Sequence, residues 1–110
     1  MERGEVWWAL FDGPRPIVLL SSEAAEELRA IQIVPPADTD ITDVAIEVRL
    51  GAAEGLADEA VIRVALPRPG LIPCTWLATV TPEDLIEQAG SLSPEKFREL
   101  TDALRLGGLE

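Results

Sequence analysis

Pro14-Arg15-Pro16 holds a single cation between two prolines, and Pro67-Arg68-Pro69 does the same farther along the chain. Each proline fixes its own φ and keeps the residue before it out of the helical region, so both arginines sit in loops with few conformations. A preset guanidinium, planar and permanently charged, is suited to paired hydrogen bonds with a phosphate. A third polar constellation is Ala37-Asp38-Thr39-Asp40, which follows Pro35-Pro36. There the Asp38 carboxylate could accept a proton from a substrate hydroxyl, or it could simply close an Asx-type turn. As a base it would also repel a phosphate, by about 1 to 4 kcal/mol at a surface site. Trp7, Trp8 and Trp76 offer ring faces on which a nucleobase could stack, with burial in a core or interface as the plainer reading. Trp7 and Trp8 are neighbours, so in a strand they point to opposite faces, one into a core and one outward.

Several chemistries are excluded. The chain has no histidine, and Cys74 is its only cysteine. A His/Cys metal site and an intrachain disulfide are therefore both ruled out, and Cys74 reads as a small core residue. Asp38-x-Asp40 resembles the opening of a calcium loop, but Asp43 and Arg49 occupy the positions of the required glycine and bidentate glutamate. No glycine-rich nucleotide loop is present.

The elements that must position these side chains are short. Glu5 to Phe11 and Ile17 to Leu20 read as strands joined by Asp12-Gly13-Pro14-Arg15-Pro16, the second of them buried on both faces. Ser22 to Leu28 has a serine cap followed by acids, which predicts a short helix. Ala30 to Val34 predicts a third strand. Val44 to Leu50 and Ala60 to Leu66 alternate apolar and polar residues, the mark of half-buried strands. If they pair, Glu47, Arg49 and Arg63 share an outer face as ordinary solvated charges. Leu71 to Val80 reads as a last strand, with Pro73 suggesting an edge or a bulge. Thr81-Pro82 and Ser93-Pro94 each place a cap before a first-turn proline, predicting a short helix up to Gly90 and a longer one burying Phe97, Leu100 and Leu104. The expected fold is mainly β with short helices, a small twisted sheet or barrel with a C-terminal helix, in one domain over residues 1–110.

Two blocks resemble the MazF/PemK toxin family. Arg3-Gly4-Glu5-Val6-Trp7-Trp8 and Arg15-Pro16-Ile17-Val18-Leu19-Leu20-Ser21 are similar to its first two strands, and Leu92-Ser93-Pro94-Glu95-Lys96 through Leu106 to its closing helix. The resemblance implies the CcdB/PemK/MazF barrel and a metal-independent endoribonuclease that needs no cofactor and cleaves single-stranded RNA by attack of the neighbouring 2′-hydroxyl. It also implies a homodimer, and a cognate antitoxin whose acidic, partly disordered tail covers the site. It assigns the main catalytic work to Arg15, with a threonine after the third strand. Asp38 stands where that threonine is expected, and Thr39 could take over its role. The loop before Arg15 is shorter than in the family, while the region around Arg68 is longer. Pro14, Arg68 and Trp76 are the candidate substrate-binding residues. CcdB-type gyrase poisoning, which depends on a C-terminal tryptophan, is not expected of a chain ending Gly107-Gly108-Leu109-Glu110.

Charge weighs against the RNA reading without closing it. Twenty acids against nine bases leave a net charge of −11 on 110 residues, so the bulk field repels polyanions and any such binding must be local. All but Lys96 of those bases are arginine, the better residue for phosphate. No run approaches the roughly 20 apolar residues of a membrane span, and Met1-Glu2-Arg3-Gly4-Glu5 lacks the plan of a signal peptide, so a cytoplasmic location is expected. A catalytically inactive PemK-like domain that binds a protein partner is the alternative expectation.

Overall fold

The computed structural model describes residues 2–10, 13–21, 27–67, 69 and 75–109. Among them run seven strands, β1 (Glu5–Leu10), β2 (Pro14–Leu19), β3 (Leu28–Gln32), β4 (Ala45–Leu50), β5 (Ala60–Ala65), β6 (Leu77–Val80) and β7 (Leu85–Ser91), and one α-helix, α1 (Pro94–Leu106). Short 3₁₀ turns lie at Ala52–Glu54 and Pro82–Asp84. The strands form two antiparallel sheets, one of five in the order β6-β3-β2-β1-β7 and one of two, β4-β5. The expected mainly β fold is present, but the strands do not close into a barrel. Among the described residues a bridge from Val34, just beyond β3, to Val61 of β5 ties the two sheets by backbone hydrogen bonds of 2.9 and 2.8 Å.

The continuous apolar run in β2 explains its central place. Val18 and Leu20 face one core with Val6, Ile31, Val48, Ile62, Val64, Leu100 and Leu104, which packs the larger sheet against the hairpin and the helix. Ile17 and Leu19 face a second core with Ala9, Leu28, Ala30 and Val80. Each such buried Val, Leu or Ile side chain contributes about 1.5 to 3 kcal/mol. Helix α1 begins as its sequence predicts: the Ser93 hydroxyl accepts from the Lys96 amide at 3.2 Å, with Pro94 in the first turn. Its Phe97 packs over Gly4, where φ is +92°, and under the Arg3 guanidinium, 5.6 Å from the ring centroid. A side chain at residue 4 would collide with that ring.

Three expectations are corrected. The helix expected from Thr81 to Gly90 is one 3₁₀ turn followed by β7. Its cap is real, since the Thr81 amide and hydroxyl both donate to the Asp84 carboxylate at 2.9 and 3.1 Å. Leu85 then leaves with ψ 124°, extended, and the chain pairs with β1 across two register shifts. The third strand lies at Leu28–Gln32 rather than 30–34, because Leu28 pairs with Val80 while Val34 turns aside to bridge Val61. Of the last strand expected over 71–80, residues 71–74 fall outside the described ones, and Leu77–Val80 forms β6 at the edge of the large sheet, with a further strand, β7, after it. The helix expected over 22–28 falls outside the described residues except for Glu27 and Leu28, and Cys74 and Arg68 also fall outside them.

Candidate active site

Between the two sheets opens a cleft of about 400 Å³. Its first wall is the end of the β1–β2 pair, with Trp8, Pro14, Arg15 and Pro16. In the register Pro14 stands opposite Leu10, Arg15 opposite Ala9 and Pro16 opposite Trp8, so strand pairing and the two prolines together fix where the Arg15 backbone lies. The second wall is Ile33, Val34 and Pro35, tied to the first because the Ile33 amide donates to the Pro16 carbonyl at 2.9 Å. The third wall runs from Leu56 to Ala60 and brings Asp58 and Glu59 to the same cleft as Arg15. Glu59 also meets Arg49 at 3.2 Å in an exposed pair. Among the described lining residues one cation shares the cleft with two acids, which makes a polarised slot.

The candidate residues separate. Pro14 and Arg15 share the cleft. Asp38 and Thr39 are both exposed, in the bend that follows the second wall, and neither lines the cleft. The side-chain-closed turn in that bend belongs to Asp40, whose carboxylate accepts from the Thr42 amide at 3.0 Å and hydroxyl at 2.8 Å. Those two bonds hold the Asp40 carboxyl below its ordinary value. Trp76 is 45% exposed, and its carbonyl accepts from Gln32 beside the edge strand, away from the cleft. The two adjacent tryptophans divide as expected. Trp7 packs on the second core and donates its indole N–H to Glu5 at 2.9 Å, while Trp8 lines the cleft.

Sequence reasoning missed two features. Asp58 and Glu59 lie in a short inter-strand connection, where charges look like ordinary turn chemistry. Glu47 and Arg63, expected as solvated cross-strand charges, are instead a half-buried pair at 2.8 Å. The reason is that the Pro35–Ala37 segment folds over them: Arg63 donates to the Pro35 carbonyl at 3.0 Å, and Glu47 accepts from the Ala37 amide at 3.1 Å. Burial pushes the Glu47 carboxyl up, but bonds from Arg63 and Ala37 and the charges of Arg63 and Arg49 outweigh it, leaving it below the ordinary value. Among the described residues no group of three His, Cys, Asp or Glu side chains converges to hold a metal ion.

An antiparallel five-stranded sheet, a separate hairpin and one closing helix define a mainly β architecture shared with a solved structure, the Mycobacterium tuberculosis toxin MazF-mt6. The likeness has a TM-score of 0.69 at 20% identity and covers 96% of this chain and 98% of that one. Residues 2–107 match the family described as PemK-like, MazF-like toxin of type II toxin-antitoxin system, and the chain belongs to that family. A curated relative named "Probable endoribonuclease MazF5", also from Mycobacterium tuberculosis, is 29% identical over 109 residues, covering 94% of this chain and 89% of the relative. Toxins of type II systems are each paired with an antitoxin protein. Among the described residues no helix is long and apolar enough to cross a membrane.

Proposed function

We propose that this single-domain toxin is a cytoplasmic endoribonuclease that cleaves single-stranded RNA through the neighbouring 2′-hydroxyl. The observation that carries the reading is Arg15, held between two prolines at the end of a paired strand and facing a cleft whose apolar surface includes Trp8. In the reaction the 2′-oxygen bonds to phosphorus and the P–O5′ bond breaks, which leaves a 2′,3′-cyclic phosphate and a 5′-hydroxyl. One proton must leave the 2′-oxygen and one must reach the 5′-oxygen. Arg15 has no acceptor and is a poor base, so its part is to stabilise the charge on the phosphorane. The Asp38 carboxylate or the Thr39 hydroxyl assists from the bend beyond the second wall, and Pro14, Arg68 and Trp76 contribute to RNA binding. The reading includes a homodimer and a cognate antitoxin. A partner with an acidic tail would meet a chain already at −11, so it must bind mainly through apolar contacts.

The test is incubation of the purified protein with mixed RNA in the presence of EDTA, beside an Arg15→Ala control. Cleavage that persists in EDTA and disappears in the variant supports the reading. One observation favours a second reading, a protein-binding domain without catalysis: Asp38 and Thr39 lie off the cleft, and two acids lie in it. Intact RNA in both reactions would select that alternative.

A further inference from the structure

Pro35-Pro36-Ala37 has an unusual shortage of backbone donors. Prolines 35 and 36 have no N–H, so the only amide of the three is that of Ala37. No ladder can hold such a stretch. Its position is fixed instead by one ion pair on the hairpin.

Glu47 and Arg63 stand directly opposite each other in the β4–β5 register. One carboxylate oxygen, Glu47 Oε2, accepts from Arg63 Nε at 3.1 Å, from Arg63 Nη2 at 2.8 Å and from the Ala37 amide at 3.1 Å. Arg63 Nη2 also donates to the Pro35 carbonyl at 3.0 Å. The two atoms that form the ion pair, Glu47 Oε2 and Arg63 Nη2, thus also bond the backbone on either side of Pro36. The side chains are 22% and 23% exposed, so water competes less than at the surface with the bonds to Glu47, while the bond to the Pro35 carbonyl is exposed.

The gripped segment connects two working parts. Upstream, Pro35 belongs to the second wall of the cleft, and Val34 is bridged to Val61. Downstream, the chain runs through Asp38 and Thr39 to the turn closed by Asp40. The pair therefore sets both the cleft wall and the point from which the 38–39 bend departs.

We infer that Glu47 and Arg63 are positioning residues: a backbone clamp, acting through Pro35 and Ala37, that holds the 35–39 segment in register with the Arg15 cleft. Its consequence for turnover rests on the proposed ribonuclease activity. Neither residue touches the reacting atoms.

A charge-swapped double variant, Glu47→Arg with Arg63→Glu, separates a clamp from a simple stabilising pair. The swap keeps an ion pair across the hairpin, but an arginine at 47 cannot accept from Ala37 and a glutamate at 63 cannot donate to Pro35. A clamp predicts near-normal thermal unfolding with kcat lower by about tenfold or more and KM little changed, since small misplacements near a reacting group cost that much or more. Restoration of kcat by the swap would overturn the inference. A second comparison does not depend on the swap folding. Glu47→Gln keeps a carbonyl that accepts from Ala37 and should keep kcat within about threefold, whereas Glu47→Ala should show the loss; equal behaviour of the two counts against the clamp. If the wild-type protein cuts no RNA, the ribonuclease reading fails, and amide exchange at Ala37 decides the clamp by itself. Slow exchange in the wild type that becomes fast in Glu47→Ala supports it, and identical rates overturn it.

Discussion

The wall of the cleft that carries Arg15 and the wall that carries Asp58 and Glu59 are built in opposite ways. The first is the end of two strands inside a five-stranded sheet, where register and two prolines fix the backbone. The second is a loop held at its ends. At its foot the backbone of Glu54 and Gly55 lies against that of Ala89 and Gly90 so closely that neither glycine has room for a Cβ, and Gly55 has φ +88°. At its head the chain enters β5 at Ala60. The charges are opposite too. On the proposed ribonuclease reading, a phosphate entering the cleft would gain one cation and meet two carboxylates among the described residues, so affinity would come largely from stacking and apolar contact, leaving the arginine for the charge that develops during reaction. The contrast teaches that a cleft can pair a wall whose backbone is fixed by strand register with one held only at its ends, each carrying its own sign of charge.

Removing the cation tests that division most severely. On the proposed reading, Arg15→Ala should lower kcat by about 10² to 10³, the usual cost of deleting a preorganised stabiliser of a transition state. Arg15→Lys should recover only part of it, because an ammonium lacks the planar fork. Equal rates for the wild type and the alanine variant would place the chemistry elsewhere.

Loosening the foot of the acidic wall comes next. Gly55→Ala combines a collision with the Ala89 carbonyl and a left-handed φ, and should cost about 2 to 3 kcal/mol of stability in denaturant unfolding. Gly13→Ala is the matched control on the basic side. It also has positive φ, but among the described residues nothing lies within 4 Å of its added methyl, so only the backbone strain of about 1 kcal/mol should appear.

Neutralising the acids is a gentler change. Asp58→Asn with Glu59→Gln should tighten RNA binding by about three- to tenfold at low salt, an effect of roughly 1 kcal/mol that fades toward 1 M salt. Fluorescence anisotropy with a labelled oligonucleotide would measure it. No change at low salt would mean that the third wall does not face the substrate.

The smallest expected effect is on acidification. The Glu47 carboxyl is held below its ordinary value in the folded chain, so the stability it contributes is fully present above the ordinary glutamate range and is lost as pH falls through the lowered folded value. Unfolding midpoints of the wild type and Glu47→Gln should therefore differ at neutral pH and converge in acid. A gap that widens in acid would contradict the sign.

What the sequence disclosed and withheld follows the same contrast. β2 was legible because Ile17 to Leu20 is apolar without interruption, and α1 because Ser93-Pro94 is a local start signal. The end of the basic wall was legible only in part: Pro14-Arg15-Pro16 carries its backbone constraint within itself, but it was expected in a loop and instead opens β2, with Arg15 opposite Ala9. β7 was not legible, since the residues just before it, Thr81 to Asp84, form a genuine capped turn, and only pairing with β1 makes Leu85–Ser91 extended. The clamp was hidden as well. Glu47 and Arg49 both alternate out of β4 and look alike, yet Arg49 pairs with Glu59 at 76% and 63% exposure while Glu47 lies under the Pro35–Ala37 segment. Which loop folds over which charge is decided by tertiary packing, and no local pattern records it.

The acidic wall has a further consequence for how such a protein can change over generations. Its foot is fixed by glycines and Leu56 is buried, but Ala57, Asp58 and Glu59 are exposed. Substitutions at those three positions alter what the cleft presents to a ligand at little cost to folding, and they leave Arg15 and its prolines untouched. A lineage, or a randomised library, can therefore vary the face that this wall turns to the cleft while leaving the wall of Arg15 as it is.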